Sequence, residues 1–326
     1  MTTIILIAMA AGCASALMFA SIVSGALLSL LLFYLAPLPL MVAALGWGPL
    51  TAAIGGIAAA IGLGAIFGLP YCIAFVIMAA LPAWWLGYLA LLGRPNDAAM
   101  PPGAPSANGP AAAPALEWYP VGRILLWIAG FAALTTMATL LTLGTDAATI
   151  TGAMQRGLLR ILNATDAAST GQTEWIDALV KIAPAAAAIV AMMTLTLNVW
   201  LAAKITATSG RLHRPWPDLK SAALPPMTLA VLSVAIAFCF TGGLPAILAQ
   251  IVTATLMMAY AFVGFAVLHT LTLTLKNRAL WLSSAYAVAV VFSWPVLAMA
   301  ALGLADAVFG LRQRYLQSRP PPLPSA

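Results

Sequence analysis

Three polar side chains sit inside long apolar runs and could do chemistry there. His269 lies in FAVLHTLTLTLKNR, about two helical turns before Lys276. Asn198 lies in TLTLNVWLAAK, less than two turns before Lys204, and Asp306 lies in LGLADAVFGLRQR, just ahead of a basic tail. A polar group at membrane depth either bonds to a neighbouring helix or marks a ligand or proton site. Both readings stand for each residue. Imidazole changes charge near neutral pH, so His269 leads the ligand-binding candidates. Trp84, Trp85 and Tyr88 close an apolar run just before Arg94. Their rings form either an interfacial belt or a stacking surface for a flat ligand.

Other chemistry finds no footing, and no catalytic residue is assigned. The chain has no HExxH, no GxSxG, no Walker loop and no pair of carboxylates at membrane depth, so it is not expected to be an enzyme. His213 has no second His or Cys near it in SGRLHRPWPDLK, so neither a metal nor a cofactor is expected. Cys13, Cys72 and Cys239 lie far apart within apolar runs and read as small buried hydrophobes. AAGC before residue 14 resembles a lipobox, but no basic residue precedes it, so the first segment reads as an uncleaved span.

The elements that must position these residues are transmembrane helices. The chain is 63% hydrophobic and 7% charged, with a mean hydropathy of +1.03. No soluble core hides that much apolar surface, and the lipid bilayer is the implied solvent. Spans are expected at 4–22, 25–45, 47–66, 70–92, 121–145, 176–203, 224–241, 245–274 and 279–304. No run alternates with period two, so the fold is an all-α polytopic helix bundle of about eight, or nine, spans with Pro- and Gly-broken helices. The net charge of +6 comes from loop residues that orient spans, without the basic–aromatic pattern of a nucleic-acid binder.

Residues 1–92 form a four-span half. Residues 93–119, rich in Pro and Ala, read as a flexible linker, and 120–310 as a second half of four to five segments. Within it, TGAMQRGLLRILN gathers Met154, Leu158, Leu159 and Leu162 near one face. That predicts a short helix near 150–165, lying in the interface or packed on the bundle. Residues 311–326 read as a disordered tail.

Basic loop residues favour the cytoplasm. Placing Lys204, Arg211, Arg214 and Lys220 there puts the linker, the N-terminus, Lys276 and Arg278 on the same side of a bacterial inner membrane. One more span would put Arg312, Arg314 and Arg319 outside. A broken or re-entrant segment at CFTGGLPAIL, where Gly242, Gly243 and Pro245 weaken a helix, restores the rule. In FYLAPLPLMVAALGWGPL, Pro37 and Pro39 bend one segment, and Pro49 starts another where a missing N–H is tolerated.

Small residues recur every fourth position at Ala8, Gly12, Ala16 and Ala20, and again at Ala52, Gly56, Ala60, Gly64 and Gly68. Such helix-docking faces let backbones approach closely, inside the bundle or against a membrane-protein partner.

The stretch LAPLPLMVAALGWGPLTAAIGGIAAAIG, with Pro37, Pro39, Gly48-Pro49, Gly55 and Gly56, resembles the N-terminal pattern of the YybS-like bacterial membrane proteins, a family of unknown function. TLTLNVWLA around Asn198, GFAVLH ending at His269, and LGLADAVFGLRQR with Asp306 and Arg312 fit the same resemblance. That family in turn resembles the S components of energy-coupling factor vitamin transporters. The resemblance implies an S-component-like N-terminal part and a membrane-embedded subunit that binds an unidentified small solute, docking its partner through the Ala8–Gly12–Ala16–Ala20 face. The other reading is a non-transport scaffold of envelope assembly.

Overall fold

The computed structural model describes residues 2–95, 116–161, 170–218, 222–292 and 294–317. The linker expectation at 96–115 and the tail from 318 onward lie outside the described residues, as do Leu162, Lys220 and Arg319. The protein is an all-α polytopic membrane protein. Seven of the described helical segments are long and apolar enough to cross a bilayer, or eight if one bent pair is counted as a span. Large aliphatic side chains face outward; Leu27, for example, is 88% exposed. That is the pattern expected where the solvent is lipid.

The chain divides into two compact units, residues 1–124 with 197–217, and residues 125–196 with 218–326. The division falls within two helices and not at the linker, contrary to the expected halves.

Unit 1 contains α1 (Thr2–Ala20), α2 (Leu27–Tyr34), α3 (Pro37–Trp47), α4 (Pro49–Phe67), α5 (Leu69–Phe75) and α6 (Leu81–Ala90). The proline-rich stretch is two elements, as its sequence suggests. Pro37 and Pro49 each stand in a first helical turn, and Gly48 between them takes a positive φ of 100° that other residues resist. A π-helical turn, Val76–Ala80, joins α5 to α6 just before Pro82, which has no N–H for the regular ladder.

The small-residue faces are used inside this unit. A Cβ at Gly12 would strike the Gly55 carbonyl, and one at Gly55 would strike that of Ala8, so α1 and α4 touch backbone to backbone. Gly56 faces Ala80, and Gly64 faces Cys72. Ala52 and Ala60 are buried, whereas Ala16 and Ala20 are half-buried. Gly68 corrects the expected series. It lies beyond the end of α4 at φ 90°, where it reverses the chain. Phe19, Phe33, Tyr71 and Phe75 pack as an aromatic group beside α1, with centroids 5.0–5.5 Å from Phe19.

A two-stranded ladder, β1 (Gly93–Pro95) with β2 (Leu116–Trp118), closes the base of the linker and is clasped by Arg94 and Glu117 at 2.7 Å. The first residues of α7 (Val121–Leu141) and the end of α9 (Thr170–Thr208) also belong to this unit.

Unit 2 holds the rest of α7 and α9, with α8 (Ala147–Ile161), α10 (Met227–Phe238), α11 (Gly243–Leu271), α12 (Arg278–Phe292), α13 (Pro295–Phe309) and α14 (Leu311–Gln317). Asp146 starts α8: its carboxylate accepts hydrogen bonds from the Thr149 hydroxyl at 2.6 Å and the Thr149 N–H at 2.8 Å. The same two bonds hold its carboxyl below the usual range. Ile150 and Met154 seat α8 against a core of Ala133, Leu140, Ala188 and Ile251.

Two expected spans change here. Residues 224–241 supply only the 12-residue α10, about 18 Å long, with the Gly242–Gly243 break after it as anticipated. The expected span 279–304 is two helices. Pro295 cannot donate to the preceding turn, and α13 begins there. Nor is the tail irregular throughout, since α14 turns off α13 at 66°.

The close approach of α11 and α13 is the tightest in unit 2. A Cβ at Gly264 would fall on the Met299 carbonyl, and one at Gly303 on that of Tyr260. Overpacking of this kind costs about 1–3 kcal/mol. Gly264→Ala should therefore lower the apparent melting temperature in detergent, whereas Gly62→Ala, with nothing within 4 Å, should leave it unchanged or raise it.

Candidate functional site

Asn198 is fully buried on α9, and its Nδ2 donates to the Tyr34 carbonyl at 2.9 Å. The local backbone explains that bond. In a regular helix the Tyr34 carbonyl would accept from the Leu38 N–H. Here the Leu38 N–H bonds to Leu35 at 2.9 Å, because the prolines tighten the junction of α2 and α3. Ser15 donates to the nearby Ala36 carbonyl at 2.5 Å. Asn198 thus supports a helix break.

At the other end of α3 lies a basic–aromatic group within the same unit. Arg214 donates to the carbonyls of Ala90, the last residue of α6, at 3.1 Å and of Tyr119 at 2.9 Å. Burial pulls its guanidinium below its ordinary value. Arg211 lies over the Trp47 ring at 4.6 Å, and Lys204 over Trp216 at 5.2 Å. Trp84, Trp85 and Tyr88 follow one another along the last turns of α6 as tilted ring pairs, with neighbouring centroids 5.6 and 5.8 Å apart.

In unit 2, Asp306 is paired within the chain. Its Oδ2 accepts from Arg312 Nε at 2.8 Å and Nη2 at 2.7 Å, and its Oδ1 from the Arg312 backbone N–H at 2.9 Å. Arg312 Nη1 also donates to the Ala222 carbonyl at 3.0 Å. Gly310, at φ 63°, lets the chain turn so that Asp306 caps the start of α14. Tyr315 then donates to the Leu271 carbonyl at 3.2 Å. These bonds bring the start of α10 and the ends of α11 and α13 to one end of the unit.

His269 lies half-buried near that same end. Its Nε2 is 2.9 Å from the Tyr286 hydroxyl of α12. Arg278 Nη2 lies 3.5 Å from His269 Nδ1 and 3.4 Å from its carbonyl. A guanidinium beside Nδ1 can only donate, so Nδ1 accepts and Nε2–H faces Tyr286. The Tyr286 ring stacks on Phe265 at 5.0 Å and 7°. Sequence placed His269 but missed Tyr286, which lies 17 residues away with no periodic signal to link them. Arg278 was visible only as a loop cation. Among the described residues, no three His, Cys, Asp or Glu side chains gather as a metal site.

Residues 124–307 match the family described as "Predicted membrane protein (DUF2232)". The chain belongs to this family. The matched segment, more than half of the chain, includes Asn198, His269 and Asp306. It excludes Arg312 and the proline-rich stretch of α3 and α4. No curated protein and no solved structure matches the chain.

Asp306 and Arg312 have side chains only 7% and 11% exposed. Removing one member of a buried pair leaves a stranded charge and costs about 3–5 kcal/mol. Asp306→Ala should therefore sharply reduce thermal stability in detergent, and Asp306→Ala combined with Arg312→Leu should recover much of the loss.

Proposed function

We propose that this DUF2232 protein is a membrane-embedded subunit that binds a small solute. One observation carries the reading: the His269–Tyr286–Arg278 cluster joins α11 to α12 through polar side chains at the end of a membrane-length helix. Such groupings mark substrate or ion pathways in membrane proteins. The sequence resemblance to YybS-like proteins, and through them to energy-coupling factor S components, supports it. In this reading the protein is not an enzyme. It lies in a bacterial inner membrane with its basic loops and both termini in the cytoplasm.

A scaffold role in envelope assembly is the second reading. It is favoured by Asn198 and Asp306, whose polar atoms hold backbone breaks and a helix turn. It would use a membrane-protein partner docked on exposed helix faces.

Thermal stability of the purified protein against vitamins, nucleobases and lipids separates the two, together with identification of co-purifying proteins. A ligand that binds only the folded state raises the melting temperature by mass action. The binding reading expects a soluble class, the vitamins or the nucleobases, to do so and His269→Ala to abolish the response; a response to lipids alone does not support it. A flat response across the panel, with a stable partner that is not an ATPase, would instead support the scaffold.

A further inference from the structure

The charge balance around His269 carries the account further. Arg278 opens α12, and its guanidinium is the cation of the cluster. No carboxylate pairs with it among the described residues. Asp306, an acid at this end of unit 2, is already bound to Arg312. The side-on edge of a guanidinium, Nε with Nη2, is a fork shaped for two oxygens of one anion. In Arg278 that edge is poorly used. Nη2 makes only the two long contacts to His269, and Nε is buried with no hydrogen-bond partner. A shielded donor without an acceptor costs free energy comparable to a lost hydrogen bond. Two further donors lie close by in sequence or space. Lys276 is exposed two residues earlier, and the first N–H groups of α12 favour negative charge.

We infer that Arg278, His269 and Tyr286 form a seat for a phosphate-bearing anion, the phosphate coming from a lipid headgroup or from a soluble ligand. One phosphate oxygen replaces the long His269 contacts of Nη2, and a turn of the guanidinium away from His269 uncovers the Nε–H for a second. Tyr286, stacked on Phe265 and bonded to His269, holds the imidazole aside. The inference concerns the same cluster as the solute-binding reading but does not require it. A lipid occupant satisfies the inference while withdrawing that reading's support.

The test uses the full chain in an uncharged detergent. Inorganic phosphate is titrated against chloride at matched ionic strength. In parallel, phosphatidylglycerol is compared with an uncharged galactolipid in mixed micelles. A dose-dependent rise in melting temperature with phosphatidylglycerol alone identifies a headgroup; a rise with phosphate as well identifies a site open to soluble ligands. Either rise should vanish in Arg278→Gln and persist in Arg160→Gln, which removes an exposed cation on α8. The inference is overturned if neither probe raises the melting temperature, or if Arg278→Gln keeps the full response. Should Arg278→Gln not fold, Tyr286→Phe takes its place: a weakened response supports the seat, and an unchanged one contradicts it.

Discussion

Each backbone N–H and C=O within the bilayer must be bonded inside the protein. A helix meets that demand by itself, so every break in a helix creates a local deficit. This chain breaks its helices often, with 23 prolines and 25 glycines. Several polar side chains answer those breaks. Asn198 and Ser15 bond to the carbonyls of Tyr34 and Ala36, where α2 meets α3. Thr51 donates to the Trp47 carbonyl at the junction of α3 and α4. Tyr315 covers Leu271 at the end of α11, and Arg214 covers Ala90 at the end of α6.

The same economy of polar groups explains the glycines that lie within helices. With no side chain at Gly12 and Gly55, or at Gly264 and Gly303, carbonyls of one helix come up against the next backbone. Packing of this closeness substitutes for the hydrophobic drive that lipid removes. In unit 2, the split at Pro295 allows α13 to end beside the end of α11. The Tyr315–Leu271 bond records that return. It groups Lys276, Arg278, Arg312 and Arg314 toward one end of the unit.

Much of this was legible from residue types. Apolar runs gave the all-α membrane class, Pro49 the start of α4, and Gly242–Gly243 the break before α11. The limits have physical causes. Pro295 sits in a run apolar enough to read as one span, since hydropathy does not register a lost N–H. Gly68 shares the four-residue step of a packing face, yet its positive φ makes it a turn. The division of the chain could not be read from composition, because α9 is one continuous helix of 39 residues that contributes to both units. For the site, sequence located His269, Asn198 and Asp306 but not their partners. Tyr34 is joined to Asn198, Tyr286 to His269, and the Ala222 carbonyl to Arg312 beside Asp306, only by the fold.

The site that remains after these structural duties is small. Asn198 and Asp306 serve the backbone, and in the His269 cluster a cation with no carboxylate partner among the described residues meets polar side chains at the end of a span. The central claim is therefore that buried polar residues here repair helix breaks first. Asn198→Leu tests it most directly, with unfolding followed in detergent without any added ligand. The account predicts a loss of about 1–3 kcal/mol from the orphaned Tyr34 carbonyl, and a loss of similar size in lipid nanodiscs. An Asn198→Leu protein as stable as the parent, but unable to respond to a ligand that stabilises the parent, would contradict it.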